Sequence, residues 1–171
     1  MGSELLNSRV LVVDDDHDTL EIMRVILDSH GAQTVVAASA NEALAALKID
    51  RPEVILSDIA MPGHDGYDLL RGVRALRPDE GGDTPAVAVS AHVNTADRER
   101  AFDAGFQAFL AKPLNPGTLV ECVKGIVERA RAHLERRCGP RRGAHSPLAI
   151  TSERRMFDSE RRLFERRQPI C

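Results

Sequence analysis

Short apolar runs alternate strictly with helical apolar periodicities along roughly the first 130 residues, and this alternation limits the possible folds more than any other feature of the chain. Residues 9–13, RVLVV, are an unbroken apolar run after Arg9 and end on acidic residues. Such a run is too short for a helix and is expected as a strand buried on both faces. From Thr19 to Ser29, Leu20, Met23, Ile26 and Leu27 recur at helical spacing, and Gly31 closes the segment. QTVVAA (33–38), EVILS (53–57), AVAVS (86–90) and FQAFLA (106–111) supply four more strand candidates. Between them, Ser39 with Glu42 forms the pattern of a capping box before Ala43, Leu44 and Leu47. Leu69, Leu70 and Val73 mark a third helix, followed by turn residues Pro78, Gly81 and Gly82. Asn94 is expected to cap a fourth helix reaching Ala104 and Gly105, and Asn115-Pro116 to open a fifth through Leu119, Val123, Ile126 and Val127. Five consecutive βα units imply a parallel sheet, because each helix carries the chain back to the edge it came from. The expected fold is therefore α/β, a doubly wound five-stranded parallel sheet with helices on both faces. In such sheets ligands bind beyond the carboxyl ends of the strands.

Composition bounds what surrounds this unit. With 171 residues, 43% apolar and 29% charged, the chain can bury one core and carry a modest extension. No run approaches the ~18 apolar residues that span a bilayer. The start, MGSELLNSR, has neither the basic opening nor the apolar stretch of a signal peptide, and Leu6 stands where myristoylation wants Ser or Thr. The expected location is the cytoplasm. Cys122, Cys138 and Cys171 form no CxxC pair, so neither a zinc site nor a disulfide framework is indicated. His17, His30, His64 and His92 share no metal-ligand spacing. Charge is divided: residues 1–134 hold 13 Lys/Arg against 21 Asp/Glu, whereas residues 135–171 hold 10 Arg against 5 Asp/Glu. The expected organisation is an extension (1–8), the α/β domain (9–134) and an Arg-rich tail (135–171). ERRMFDS (153–159) and ERRLFER (160–166) repeat with a period of seven, placing Met156, Phe157, Leu163 and Phe164 on one side of a helix. Two heptads are too few for a stable coiled coil. The tail reads as disordered, or as a short amphipathic helix that forms on a partner.

The expected strand ends carry the chemistry. The first strand ends on Asp14-Asp15-Asp16, the third on Ser57-Asp58, the fourth on Ser90 and the fifth on Lys112-Pro113. No Gly-rich phosphate loop is present, which argues against dinucleotides and nucleoside triphosphates. Carboxylates that converge either raise one another's pKa or are neutralised by a cation. A set of hard oxygens without His or Cys suits Mg²⁺. A carboxylate can attack phosphorus to give an acyl phosphate, and a lysine and a hydroxyl can bind the remaining phosphoryl oxygens. Phosphoryl transfer to an aspartate uses these parts.

With VVDD at the first strand, ILSDIAMPGHDG at the third, VAVSA at the fourth and FLAKPL at the fifth, residues 8–134 resemble the receiver domain of two-component response regulators, single-domain type. The resemblance implies a flavodoxin-like sheet with strand order 2-1-3-4-5. It implies Asp58 as phosphoacceptor and Asp14 and Asp15 as the acidic pair holding Mg²⁺, with Asp15 closer. The backbone carbonyl of Ala60 completes the implied metal set with Asp58. It further implies Ser90 as the hydroxyl that moves to the phosphoryl group, Lys112 as its counter-charge, a cis Lys112–Pro113 peptide, and Phe109 as the switch aromatic. Met61-Pro62-Gly63 and Gly66 shape the loop after the acceptor. The resemblance also places Ala60 and His92 at positions that in receivers tune how long the phosphoryl group survives. The implied partners are a sensor histidine kinase or a histidine phosphotransfer protein. Residues 135–171 are too few for a DNA-binding output domain, so output through protein–protein contacts is expected.

Two other functions use some of the same residues. A phosphorelay shuttle or phosphate sink would keep the chemistry and dispense with a state-dependent partner. A phosphatase with an aspartate nucleophile after the first strand would need DxDx[TV]; residues 14–18 and 16–20 both miss the last position and leave Asp58 unexplained. Taken singly, Asp16 and Asp18 suit a helix start, where negative charge is favoured.

Overall fold

The computed structural model describes residues 4–63, 65–91 and 94–138, with side chains described through residue 133. His64, His92, and the seven-residue repeat of the tail with Cys138's side chain and Cys171 lie outside the described residues. The chain divides into two units, Met1–Cys138 and Gly139–Cys171, and the description below concerns the first.

Five strands, β1 (Arg9–Val13), β2 (Gln33–Ala37), β3 (Val54–Asp58), β4 (Ala86–Ser90) and β5 (Ala108–Ala111), form one parallel sheet ordered β2-β1-β3-β4-β5. Strand periodicity divides the core. Val10, Val12, Val54, Leu56, Val87 and Val89 face α1 (His17–Ser29) and α5 (Pro116–Cys138). Leu11, Val13, Ile55, Ala86 and Ala88 face α2 (Ala40–Asp50), α3 (Gly66–Arg74) and α4 (Thr95–Ala104). The three central strands are therefore buried on both sides, which is why their sequences read as continuous apolar runs. No helix among the described residues is long and apolar enough to cross a membrane.

The helix ends explain where the chain turns. Asp16 caps α1, its carboxylate accepting from the Asp18 N–H at 3.1 Å and from the Thr19 hydroxyl at 2.7 Å, so the helix begins at His17 rather than Thr19. Ser39 caps α2 through the Glu42 N–H, and the Glu42 carboxylate reaches back to the Ala38 N–H at 2.9 Å. Asp65, Asn94 and Asn115 accept from backbone N–H groups at the heads of α3, α4 and α5. Two expected boundaries shift for identifiable reasons. Pro78–Glu80 winds into one 3₁₀ turn closed by Gly81 at φ +101°, a conformation in which glycine is favoured. β5 begins at Ala108 because Gln107 closes onto Ala86 with both its backbone N–H and its side-chain oxygen, while Phe106 turns into the core.

Residues 4–8 also belong to the packed unit. Leu5 is 1% exposed against the α1/α5 side of the core, and its N–H donates to the His30 carbonyl. Arg131 on α5 pairs with Glu53 through two nitrogens at 2.7 and 2.9 Å and touches the Ser8 hydroxyl at 3.3 Å. This clamp fastens α5 to the amino-terminal edge of the sheet, the edge opposite the acidic cluster.

Candidate functional site

Parallel register brings distant residues to one edge. Val13 pairs with Ser57, so β1 and β3 end side by side and deliver Asp14 and Asp58 as neighbours. Asp58 pairs with Val89, and Ser90 follows one residue later on β4. Ser90 pairs with Ala111, and Lys112 follows on β5. The Lys112 N–H donates to the Ser90 carbonyl at 2.8 Å, and the Lys112–Pro113 peptide is cis, in keeping with the resemblance.

The Lys112 ammonium donates to Asp14 Oδ2 and to Asp58 Oδ2, each at 2.7 Å. Asp14 Oδ1 accepts the Asp16 N–H at 3.0 Å, and Asp58 Oδ1 accepts the Ala60 N–H at 3.1 Å. Asp14 is fully buried, Asp58 nearly so, and Asp15 is exposed at the mouth. Oxygens of the three carboxylates all lie within 4.8 Å of one another. Burial pushes the Asp14 carboxyl above its ordinary value and the Asp58 charge adds to this, while Lys112 and the Asp16 N–H offset only part of it. Burial opposes the charge on Lys112, but the hydrogen bonds and charges of the two aspartates prevail and hold its pKa above the ordinary value.

Three carboxylates facing one ammonium leave a formal charge of −2, and all the donors are hard oxygens. Such a set fits a hard divalent cation. Asp16 and Asp18 take no part, since their side chains or positions serve the start of α1. Ala60 lies two residues beyond Asp58, and its backbone N–H already turns toward the carboxylate. Ser90 is 3% exposed at the end of β4. Phe109 is half-buried and packs against the cluster on the α2–α4 side.

Sequence patterns did not reveal the packing around the head of α3 or the close approach of Gly66 to β3. Tyr67, at the start of α3, is 8% exposed, stands edge-on to Phe106 with ring centres 6.0 Å apart, and has Arg100 of α4 4.5 Å above its ring. Nothing in the spacing of residues 67, 100 and 106 announces that contact. Gly66 sits so close to β3 that a Cβ there would lie 2.4 Å from the Asp58 carbonyl oxygen.

The chain thus carries a doubly wound α/β sheet with an acidic cluster and a bridging lysine at its carboxyl edge. Residues 10–124 match the model of the response regulator receiver domain, and the chain belongs to that family. It is 41% identical over 115 residues to the "Uncharacterized 14.6 kDa protein in sodA1 3'region" of Leptolyngbya boryana, covering 67% of this chain and 86% of that protein. It is 33% identical over 133 residues to the DNA-binding response regulator MtrA of Mycobacterium tuberculosis, covering 78% of this chain but 53%, about half, of MtrA. Among solved structures, a putative response regulator from Chloroflexus aurantiacus superposes with TM-score 0.67 at 32% identity, covering 72% of this chain and 99% of that one. The chemotaxis protein CheY4 of Vibrio cholerae superposes with TM-score 0.65 at 28% identity, covering 70% and 98%.

Proposed function

We propose that Asp58 accepts a phosphoryl group from a phosphohistidine of a sensor histidine kinase or a histidine phosphotransfer protein, and that the resulting acyl phosphate switches a protein-binding surface. The observation that carries this reading is the convergence of Asp14, Asp15 and Asp58 within 4.8 Å, bridged by Lys112. Mg²⁺, held by Asp14, Asp15, Asp58 and the Ala60 carbonyl, would supply charge neutralisation between the aspartates and the incoming phosphoryl oxygens.

The chain's own residues do the rest. A carboxylate oxygen of Asp58 forms a bond to phosphorus as the phosphorus–nitrogen bond to histidine breaks, and the departing imidazole takes up a proton. The Lys112 ammonium already donates to Asp58 Oδ2 at 2.7 Å, which holds the nucleophile in place before transfer. Lys112 then turns from the carboxylate to a phosphoryl oxygen, which carries the charge it formerly met. Ser90, on the neighbouring strand, donates its hydroxyl to a second phosphoryl oxygen. Its movement makes room on the side where Phe109 is half-buried, and Phe109 turns inward. The domain is thus a phosphoacceptor that assists its own modification rather than an enzyme with turnover on an outside substrate.

The test is labelling with Mg²⁺ and acetyl phosphate, read by intact mass and by the site of the hydroxylamine-labile adduct. The wild type should gain one phosphoryl group and Asp58→Asn none. Label that persists in Asp58→Asn, or that maps to Asp14–Asp18, overturns the assignment.

A further inference from the structure

Ser57 is the polar member of an otherwise apolar strand interior, 1% exposed and walled by Ile55, Leu69, Leu70, Val73 and Phe106. A hydroxyl in such surroundings is costly unless bonded. Its hydroxyl donates to the Asp58 carbonyl at 2.9 Å.

That carbonyl has a particular need. In a strand, the N–H and C=O of one residue point to one side and those of the next residue to the other. The Ile59 N–H donates to the Val89 carbonyl on β4, so the Asp58 carbonyl points to the β1 side. There the pairing stops at Val13 opposite Ser57. Among the described residues, the Ser57 hydroxyl is the donor this carbonyl has. Gly66 crowds the same oxygen beside the Ser57 hydroxyl: a Cβ there would lie 2.4 Å from the Asp58 oxygen, 3.0 Å from Ile59 Cα and 3.1 Å from Ser57 Oγ. Gly66 also donates its N–H to the Ile59 carbonyl at 3.0 Å. The peptide joining Asp58 to Ile59 is therefore held at its oxygen by the Ser57 hydroxyl, with the Gly66 α-carbon packed close beside it. The space beside Ser57, lined by Leu69, Leu70 and Phe106, leaves no water-sized void next to the hydroxyl.

We propose that Ser57 is a positioning residue for phosphoryl transfer, fixing the plane of the Asp58–Ile59 peptide and through it the aim of the Asp58 carboxylate at Lys112 and the acidic cluster. The inference rests on Asp58 being the acceptor. Ser57 touches no reacting atom. Losing its hydroxyl leaves the carbonyl unsatisfied and lets the peptide tilt, which misaims the nucleophile while Asp14 and Asp15 keep their places.

The experiment compares wild type, Ser57→Ala and Ser57→Cys, whose thiol is a weak donor of similar size. Each is labelled with acetyl phosphate at saturating Mg²⁺, at a temperature where near-ultraviolet circular dichroism shows all three folded. Mg²⁺ affinity is measured separately by calorimetry. The expected result is a labelling rate constant about tenfold lower in Ser57→Ala, with Ser57→Cys between, and Mg²⁺ affinity within about twofold throughout. An unchanged rate in folded Ser57→Ala overturns the inference. So does a fall in rate matched by an equal fall in Mg²⁺ affinity, which would mean general loosening of the edge. Failure of the wild type to label at all would instead overturn the reading of Asp58.

Discussion

Lys112 reaches across 98 residues of sequence to stand 2.7 Å from Asp14, and at the same 2.7 Å from Asp58, so one ammonium holds two buried carboxylates together. Removing it leaves like charges facing each other with little solvent. Breaking a fully buried pair by losing one partner costs ~3–5 kcal/mol. Lys112 keeps 22% of its side chain exposed, so Lys112→Met should cost less, about 1–3 kcal/mol without divalent cation. The same change makes the site more negative and should tighten Mg²⁺ binding while slowing phosphorylation. Thermal unfolding with and without Mg²⁺, beside the labelling rate, checks both. Weaker Mg²⁺ binding in the variant would contradict this electrostatic account.

Asp14 makes the converse case. Its carboxyl pKa is raised, chiefly by burial, and this fixes the sign of its effect. A carboxylate harder to ionise in the folded state than in the unfolded chain favours folding when protonated and opposes it once ionised. At neutral pH, Asp14→Asn should therefore raise the unfolding midpoint in the absence of Mg²⁺. It should also lose the stabilisation that Mg²⁺ gives the wild type, about 1.4 kcal/mol at ten times the dissociation constant. Calorimetric scans of both proteins with EDTA and with Mg²⁺ decide this. A variant less stable than wild type in EDTA would show that the Lys112 pair outweighs the burial cost.

Much of this was legible in the sequence because the fold's logic is periodic. RVLVV, EVILS and AVAVS are apolar on both faces only because the central strands are covered on both faces, and the residues that end them become neighbours by register. Asp14, Asp58, Ser90 and Lys112 could thus be placed together from strand ends. The supports of the site were not legible. Ser57 looks like one polar residue in a strand, and its role depends on β1 stopping one residue short of Asp58. Tyr67, Arg100 and Phe106 meet through the packing of α3 against α4, which no local spacing encodes. Leu5 lies in a polar opening segment, and its burial follows from tertiary packing into the cluster that α1 and α5 share.

Gly66 is required by proximity rather than by backbone angle. A methyl group there would lie 2.4 Å from the Asp58 carbonyl oxygen, which the strand cannot withdraw without shifting the acceptor. Gly66→Ala should cost about 1–3 kcal/mol, the usual range for overpacking. By contrast, Gly125 on α5 has open space around a built Cβ, and Gly125→Ala should stabilise the helix by up to about 1 kcal/mol. Denaturant midpoints for the pair, with phosphorylation rates, give the comparison. Equal stability of the two variants would remove the packing argument.

At the far edge of the sheet, Arg131 and Glu53 make a stability prediction with a defined pH window. Burial would push the Glu53 carboxyl up, but the Arg131 pair and the Arg9 N–H prevail and hold it below its ordinary value of 4.5. A lowered folded-state pKa means that the carboxylate's stabilisation is present in full above the unfolded value and is lost as pH falls through the folded one. Arg131 is 45% exposed, so solvent screening limits the pair to about 1 kcal/mol or less. Glu53→Gln should therefore be less stable than wild type by a constant amount from pH 6 to 8, with the gap closing below about pH 4.5. High salt should shrink the gap at neutral pH. Urea unfolding at half-unit pH steps measures it directly. A gap that stays constant down to pH 3 would mean that the charge on Glu53 contributes nothing, and that the variant fails through packing alone.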